Sequence, residues 1–99
     1  MEEFTYADKN VLGGWIMDTR IALISIIVTN ADSVDSLNTL LHDYRDYIIG
    51  RMGLPYHKRG VNIISVAVDA PQEKTSALSG KIGRLDGVFS KTVYADSRI

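Results

Sequence analysis

The sequence contains no cysteine. Disulfides, thiolate metal sites, iron–sulfur clusters and cysteine nucleophiles are excluded together. Histidine is nearly as scarce: only His42 and His57 occur, and neither sits in a metal-ligand motif. An excess of charge of one sign is also missing. Lys+Arg number 11 and Asp+Glu 12, a net charge of -1, whereas a stand-alone nucleic-acid binder draws much of its affinity from neutralising phosphates. Direct contact with nucleic acid is therefore not expected. The longest apolar run, Ile21 to Val28, is interrupted by Ser25 and falls far short of the roughly 20 residues a membrane span needs. The chain opens on Met1-Glu2-Glu3, acidic where a signal peptide is basic. These absences predict a cytoplasmic protein that does not engage a membrane.

What is present is enough for one core. The 99 residues are 45% hydrophobic and 23% charged, which suits a single domain of two packed layers. Residues 1–18 stand apart: Phe4, Tyr6, Val11, Leu12, Trp15 and Ile16 follow no sustained period, and Gly13-Gly14 interrupts them. We read 1–18 as an N-terminal extension whose apolar side chains pack somewhere, and 19–96 as the domain.

Arg20 to Asn30 reads as a strand rich in β-branched residues. Ile21, Leu23 and Ile27 fall on one face, and Ala22, Ile24, Ile26 and Val28 on the other. Asn30-Ala31-Asp32-Ser33 supplies turn and cap residues. Val34, Leu37, Leu41, Tyr44 and Ile48 then repeat at helical spacing. Tyr47 to Leu54 either continues that helix or forms a second strand after a turn near Asp46; Gly50 and Gly53 favour the strand. Pro55 to Gly60 is a polar, basic loop, and Val61 to Val68 a third strand, again apolar on both faces. Asp69-Ala70-Pro71 marks the next helix start. Thr75, Leu78, Ile82 and Leu85 give that helix its apolar stripe, through Arg84. Asp86-Gly87 ends it, and Val88 to Tyr94 is the fourth strand.

The order βαββαβ predicts an α+β, ferredoxin-like fold: an antiparallel four-stranded sheet with two helices on one face. Two helices cover only that face, yet the first and third strands are apolar on both. The uncovered surface predicts self-association through the sheet, as a dimer or tetramer.

Several blocks resemble a known family. Arg20-Ile-Ala-Leu-Ile-Ser-Ile-Ile-Val, Tyr47-Ile-Ile-Gly-Arg-Met-Gly-Leu-Pro-Tyr56, Gly60-Val-Asn-Ile-Ile-Ser-Val-Ala-Val-Asp-Ala70 and Ser76-Ala-Leu-Ser-Gly-Lys-Ile-Gly-Arg-Leu85 look like a small family described as regulators of the iron-only hydrogenase system. The resemblance covers positions 19 to 94. It implies a fold similar to ACT domains and to the C-terminal sensor domain of the nickel-responsive repressor, both oligomeric ligand-binding modules. It therefore implies a regulatory, ligand-sensing domain with a small-molecule effector or a protein partner, acting in transcriptional control. The nickel set of histidines and a cysteine has no counterpart here, so no metal or other cofactor is expected. Residues 1–18 are too short for the repressor's DNA-binding arm.

The candidate ligand-binding residues are Asn30, Asp32, Ser33 and Arg51. The first three lie between the first strand and the first helix, where ACT-like domains place their effector and a helix N-terminus presents free N–H groups. Their plainer role is for Asp32 or Ser33 to cap the helix. Asp69-Ala70-Pro71 offers a second such end. Arg51, between Gly50 and Gly53, either presents a fork of donors to an anion or pairs across a subunit contact on a bulged strand. His57, Lys58 and Arg59 make the one consecutive basic cluster, suited to a solvated turn, an acidic partner or a nucleic-acid phosphate. His42 borders the apolar stripe as a surface or half-buried residue. Gly80 and Gly83 suggest close packing of the second helix. No nucleophile–base pair or paired carboxylates emerge, so no catalytic residues are assigned and no enzymatic activity is expected.

Overall fold

The structure, a computed structural model, describes residues 11–12, 15–16, 18–96 and 98–99. Two short strands, β1 (Val11–Leu12) and β2 (Trp15–Ile16), pair antiparallel with Leu12 opposite Trp15. The sequence signal for this is Gly13-Gly14 between apolar pairs, a two-residue hairpin signature. Where the side chains of 1–18 pack lies outside the described residues.

The remaining elements are β3 (Arg20–Val28), α1 (Val34–Asp43), β4 (Ile48–Tyr56), β5 (Val61–Ala70), α2 (Gln72–Gly83) and β6 (Val88–Tyr94). The four long strands form one antiparallel sheet in the order β4-β5-β3-β6. This is the ferredoxin-like α+β arrangement that the βαββαβ order predicts, and the ACT-like one that the family resemblance implies.

Strict alternation in β3 builds the core. Ala22, Ile24, Ile26 and Val28 are buried with Ile64, Val66 and Val68 of β5 and Val88 of β6. Leu37 and Leu41 of α1 and Leu78 and Ile82 of α2 close over them, as the helical spacing of both stripes requires. Val34, Tyr44, Ile48 and Leu85 pack half-buried at the margin. Each fully buried Ile or Leu contributes about 1.5–3 kcal/mol, so this layer is the main source of stability.

Several boundaries differ from expectation for local reasons. The first strand ends at Val28, because Asn30 already caps a 3-10 turn over Ala31–Ser33. The helical stripe to Ile48 is broken: α1 stops at Asp43, a 3-10 turn covers Arg45–Tyr47, and Ile48 opens β4. Residues 48–54 thus take the strand alternative, with Tyr47 left in the turn, and the strand runs on through Pro55 and Tyr56, which the sequence assigns to a loop. Pro55 is tolerated because β4 is an edge strand, where a missing N–H need not break the ladder. The loop shrinks to a 3-10 turn, His57–Arg59, closed by Gly60 at φ 66°. Strand β5 extends to Ala70, leaving Pro71 as the cap before α2 instead of within its first turn, and α2 ends at Gly83. A bulge shifts the β4–β5 register between Ile48 and Gly50. The bulge lies at Ile49, just before the Gly50–Gly53 segment where a bulged strand was one of the expectations.

Candidate functional site

The junction after β3 is tied to the loop before β6. The Asn30 side-chain carbonyl accepts from the Asp32 N–H at 3.0 Å, and its amide donates to the Asp86 carboxylate at 2.6 Å. Ser33 Oγ donates to the Asp86 carbonyl at 2.6 Å. The Thr29 N–H and Oγ1 both donate to the Gly87 carbonyl, at 2.7 and 2.8 Å. The capping residue is therefore Asn30, neither Asp32 nor Ser33. Asn30 does this because its side chain both accepts and donates, serving the turn and Asp86 at once. Ser33 precedes α1 without a side-chain cap bond. Asp32 is exposed. Gly87 sits at φ 70° so close that a Cβ would stand 2.6 Å from the Asn30 Cβ.

Arg51 is elsewhere. It lies opposite Val66, which lies opposite Ile24, so it sits at mid-sheet with β5 between it and β3. Its guanidinium donates to Asn38 Oδ1 of α1 at 3.3 Å, on the helix side of the edge strand. The structure brings Asn30 and Ser33 together around Asp86 but does not bring Arg51 to them. His57, Lys58 and Arg59 occupy the exposed tip of the β4–β5 hairpin, and His42 is exposed on α1. No group of three or more His, Asp or Glu side chains that could hold a metal occurs among the described residues. No described helix is long and apolar enough to cross a membrane.

The helix-free face of the sheet is the largest chemical feature. On β3, Ile26 is 1% exposed and its neighbour Ile27 is 46% exposed, so alternation alone separates the core from this surface. The registers arrange the middle of the face in three rows across the strands, with Asp69 opposite Ile21 in a further row beyond them. One row is Leu54, Ile63, Ile27 and Phe89; the next is Met52, Ser65, Ser25 and Lys91; the third is Gly50, Ala67, Leu23 and Val93. Leu23, Ile27, Met52, Leu54, Ile63, Phe89 and Val93 are all exposed large hydrophobics. Four strands about 4.8 Å apart, over six steps of about 3.4 Å, give roughly 400 Å² in projection. The two apolar rows on either side of the polar one make up about two thirds of that area, the size of the largest apolar patch on a typical monomer, which is often functional. The middle row escaped the sequence reading. Ser25, Ser65 and Lys91 are far apart in the chain, and only register aligns them; the one local signal is Ser25 interrupting an apolar strand.

The arrangement is shared with known proteins. A solved structure, the uncharacterized protein TM1266 from Thermotoga maritima, is 30% identical and superposes with a TM-score of 0.76, covering 79% of this chain and 99% of that one. A formyltetrahydrofolate deformylase from Pseudomonas putida KT2440 superposes at a TM-score of 0.51 with 17% identity, over 77% of this chain and 28% of that one. That second likeness shows the fold alone. Among curated proteins none is similar enough to count as a relative. Residues 20–92 match the family model described as "TM1266-like: Iron-only hydrogenase system regulator, putative", which assigns the chain a regulatory role at a coarse level. From the sheet and both helices within that match, and from the relative aligned along nearly its whole length, the chain belongs to the TM1266-like family.

Proposed function

We propose that this chain is a non-catalytic, cytoplasmic regulatory domain that works as an assembly of copies joined through their helix-free sheet faces. The observation that carries the proposal is the exposure of Leu23, Ile27, Leu54, Ile63, Phe89 and Val93 on that one face. A second copy is the occupant that fits. Charge on the face is sparse: the registers place Lys91 in the middle row and Asp69 opposite Ile21 beyond the third, so a charged partner finds little to complement. Like sheet faces stack about 10 Å apart with interdigitating side chains. A two-fold pair needs only one self-compatible patch. Regulation then follows by linkage: whatever binds one assembly state better shifts the population toward it. A net charge of -1 supports a transcriptional output that passes through a partner protein instead of direct DNA contact.

Sedimentation equilibrium on the wild type and on Ile27→Asp tests this. The wild type is expected to pair and the variant, with a carboxylate in the middle of the patch, to stay monomeric. Equal masses for the two proteins would refute the assignment of the interface.

A further inference from the structure

The middle row of the helix-free face is chemically unlike its neighbours. Ser65, Ser25 and Lys91 stand side by side on β5, β3 and β6, with Cα spacings of about 4.5–5.5 Å. Among the described residues nothing hydrogen-bonds the Ser25 or Ser65 hydroxyl, and nothing pairs with the Lys91 ammonium. A hollow of about 550 Å³ opens beside this row, lined by Ser25, Ser65 and Lys91 and by the apolar Ile27, Ile63 and Phe89, and reaching Gly83 of α2 and Ser90 of β6.

We propose that this hollow binds a small carboxylate with an apolar body, held where two copies meet. The inference rests on the pairing described above and names the ligand of that interface. Stacking two faces takes two lysines and four serine hydroxyls out of water, and the carboxylate that the registers place on this face, Asp69 opposite Ile21, stands two rows away from Lys91. Burying an unpaired ammonium opposes association. A carboxylate removes that opposition: its oxygens accept from Lys91 Nζ and from the serine hydroxyls, all of which can donate. Its hydrocarbon part lies against Ile27, Ile63 and Phe89. An ammonium-bearing ligand finds no counter-charge there. Because the ligand favours the pair over the single copy, binding and assembly are reciprocal.

The experiment measures the pair's dissociation constant by sedimentation equilibrium with octanoate, acetate or octylammonium as probes. Octanoate is expected to tighten the wild-type pair at least about tenfold, with acetate and octylammonium having little effect. Lys91→Met, which keeps the length and removes the charge, is expected to pair more tightly than wild type without any probe and to ignore octanoate. Lys91→Arg is expected to retain the response. Far-UV circular dichroism checks that both variants fold, as substitutions at an exposed position do. A wild-type constant that octanoate leaves unmoved, while Ile27→Asp still abolishes pairing, would overturn the ligand and leave the interface standing. An equal response in Lys91→Met, or an equal effect of octylammonium, would overturn the role of the lysine. A wild type that stays monomeric with and without octanoate would overturn both the ligand and the interface.

Discussion

Replacing Gly87 with alanine tests how the two loops at the open end of the sheet hold each other. Gly87 has φ 70°, and its Cβ would meet the Asn30 Cβ at 2.6 Å, Thr29 Oγ1 at 3.0 Å and the Asn30 backbone N at 3.1 Å. The left-handed backbone alone costs an alanine about 1 kcal/mol. The overlap forces a shift in rigid surroundings, costing about 1–3 kcal/mol more. That shift also strains both Thr29 hydrogen bonds to the Gly87 carbonyl. The total expected for Gly87→Ala is about 3 kcal/mol, a large fraction of the 5–15 kcal/mol typical of a domain. Gly60 is the internal control. It has φ 66° but nothing within 4 Å of its Cβ position, so Gly60→Ala carries only the backbone term of about 1 kcal/mol. Urea unfolding separates the two: Gly87→Ala lowers the midpoint by about 2 M and Gly60→Ala by less than half of that. Equal losses in the two variants would refute the steric argument.

Other substitutions probe the core, its faces and the C-terminal end. Thr75 is 1% exposed and its hydroxyl has no hydrogen-bond partner; Thr75→Val is expected to raise stability by about 1 kcal/mol in the same urea assay, and a loss would show that the hydroxyl is satisfied. Ile26→Ala is expected to cost about 2–5 kcal/mol. Ile27→Ala, one residue along on the open face, is expected to leave monomer stability within about 1 kcal/mol while weakening pairing; equal destabilisation by the two would contradict the assignment of faces. The Arg98 guanidinium, followed by the Arg98 backbone N–H, holds the Asp96 carboxyl down at about 2. The pair's contribution is present above the unfolded value of about 3.9 and is lost as pH falls through about 2. Carboxyl-carbon NMR of Arg98→Ala should show the Asp96 midpoint moving up; an unchanged midpoint would remove Arg98 as the cause.

Legibility in the sequence followed the range of the interaction. Alternation in Arg20–Val28 separated Ile26 from Ile27 correctly, because period 2 is a property of the strand itself. The stripes of Leu37 and Leu41, and of Leu78 and Ile82, were equally local. Boundaries failed where a tertiary contact or sheet position decided them. Asn30 became the cap because Asp86, far along the chain, takes its amide. Pro55 stayed in a strand because β4 is an edge. The candidate site was legible only in part. Asn30 and Ser33 do share one junction, but Arg51 faces Asn38, a pairing no spacing rule encodes. The Ser65–Ser25–Lys91 row was invisible, since it exists only once two registers are set.

The claim that copies meet on the helix-free face is tested most directly by methyl NMR of the unmodified protein across a dilution series from millimolar to micromolar. Methyl signals of Leu23, Ile27, Leu54, Ile63 and Val93 are expected to move together with concentration and to fit one dissociation constant. Signals of Leu40 and Leu85, half-buried on the helix side, should stay in place. Concentration-dependent shifts confined to the helix side, or none on the sheet face, would contradict it.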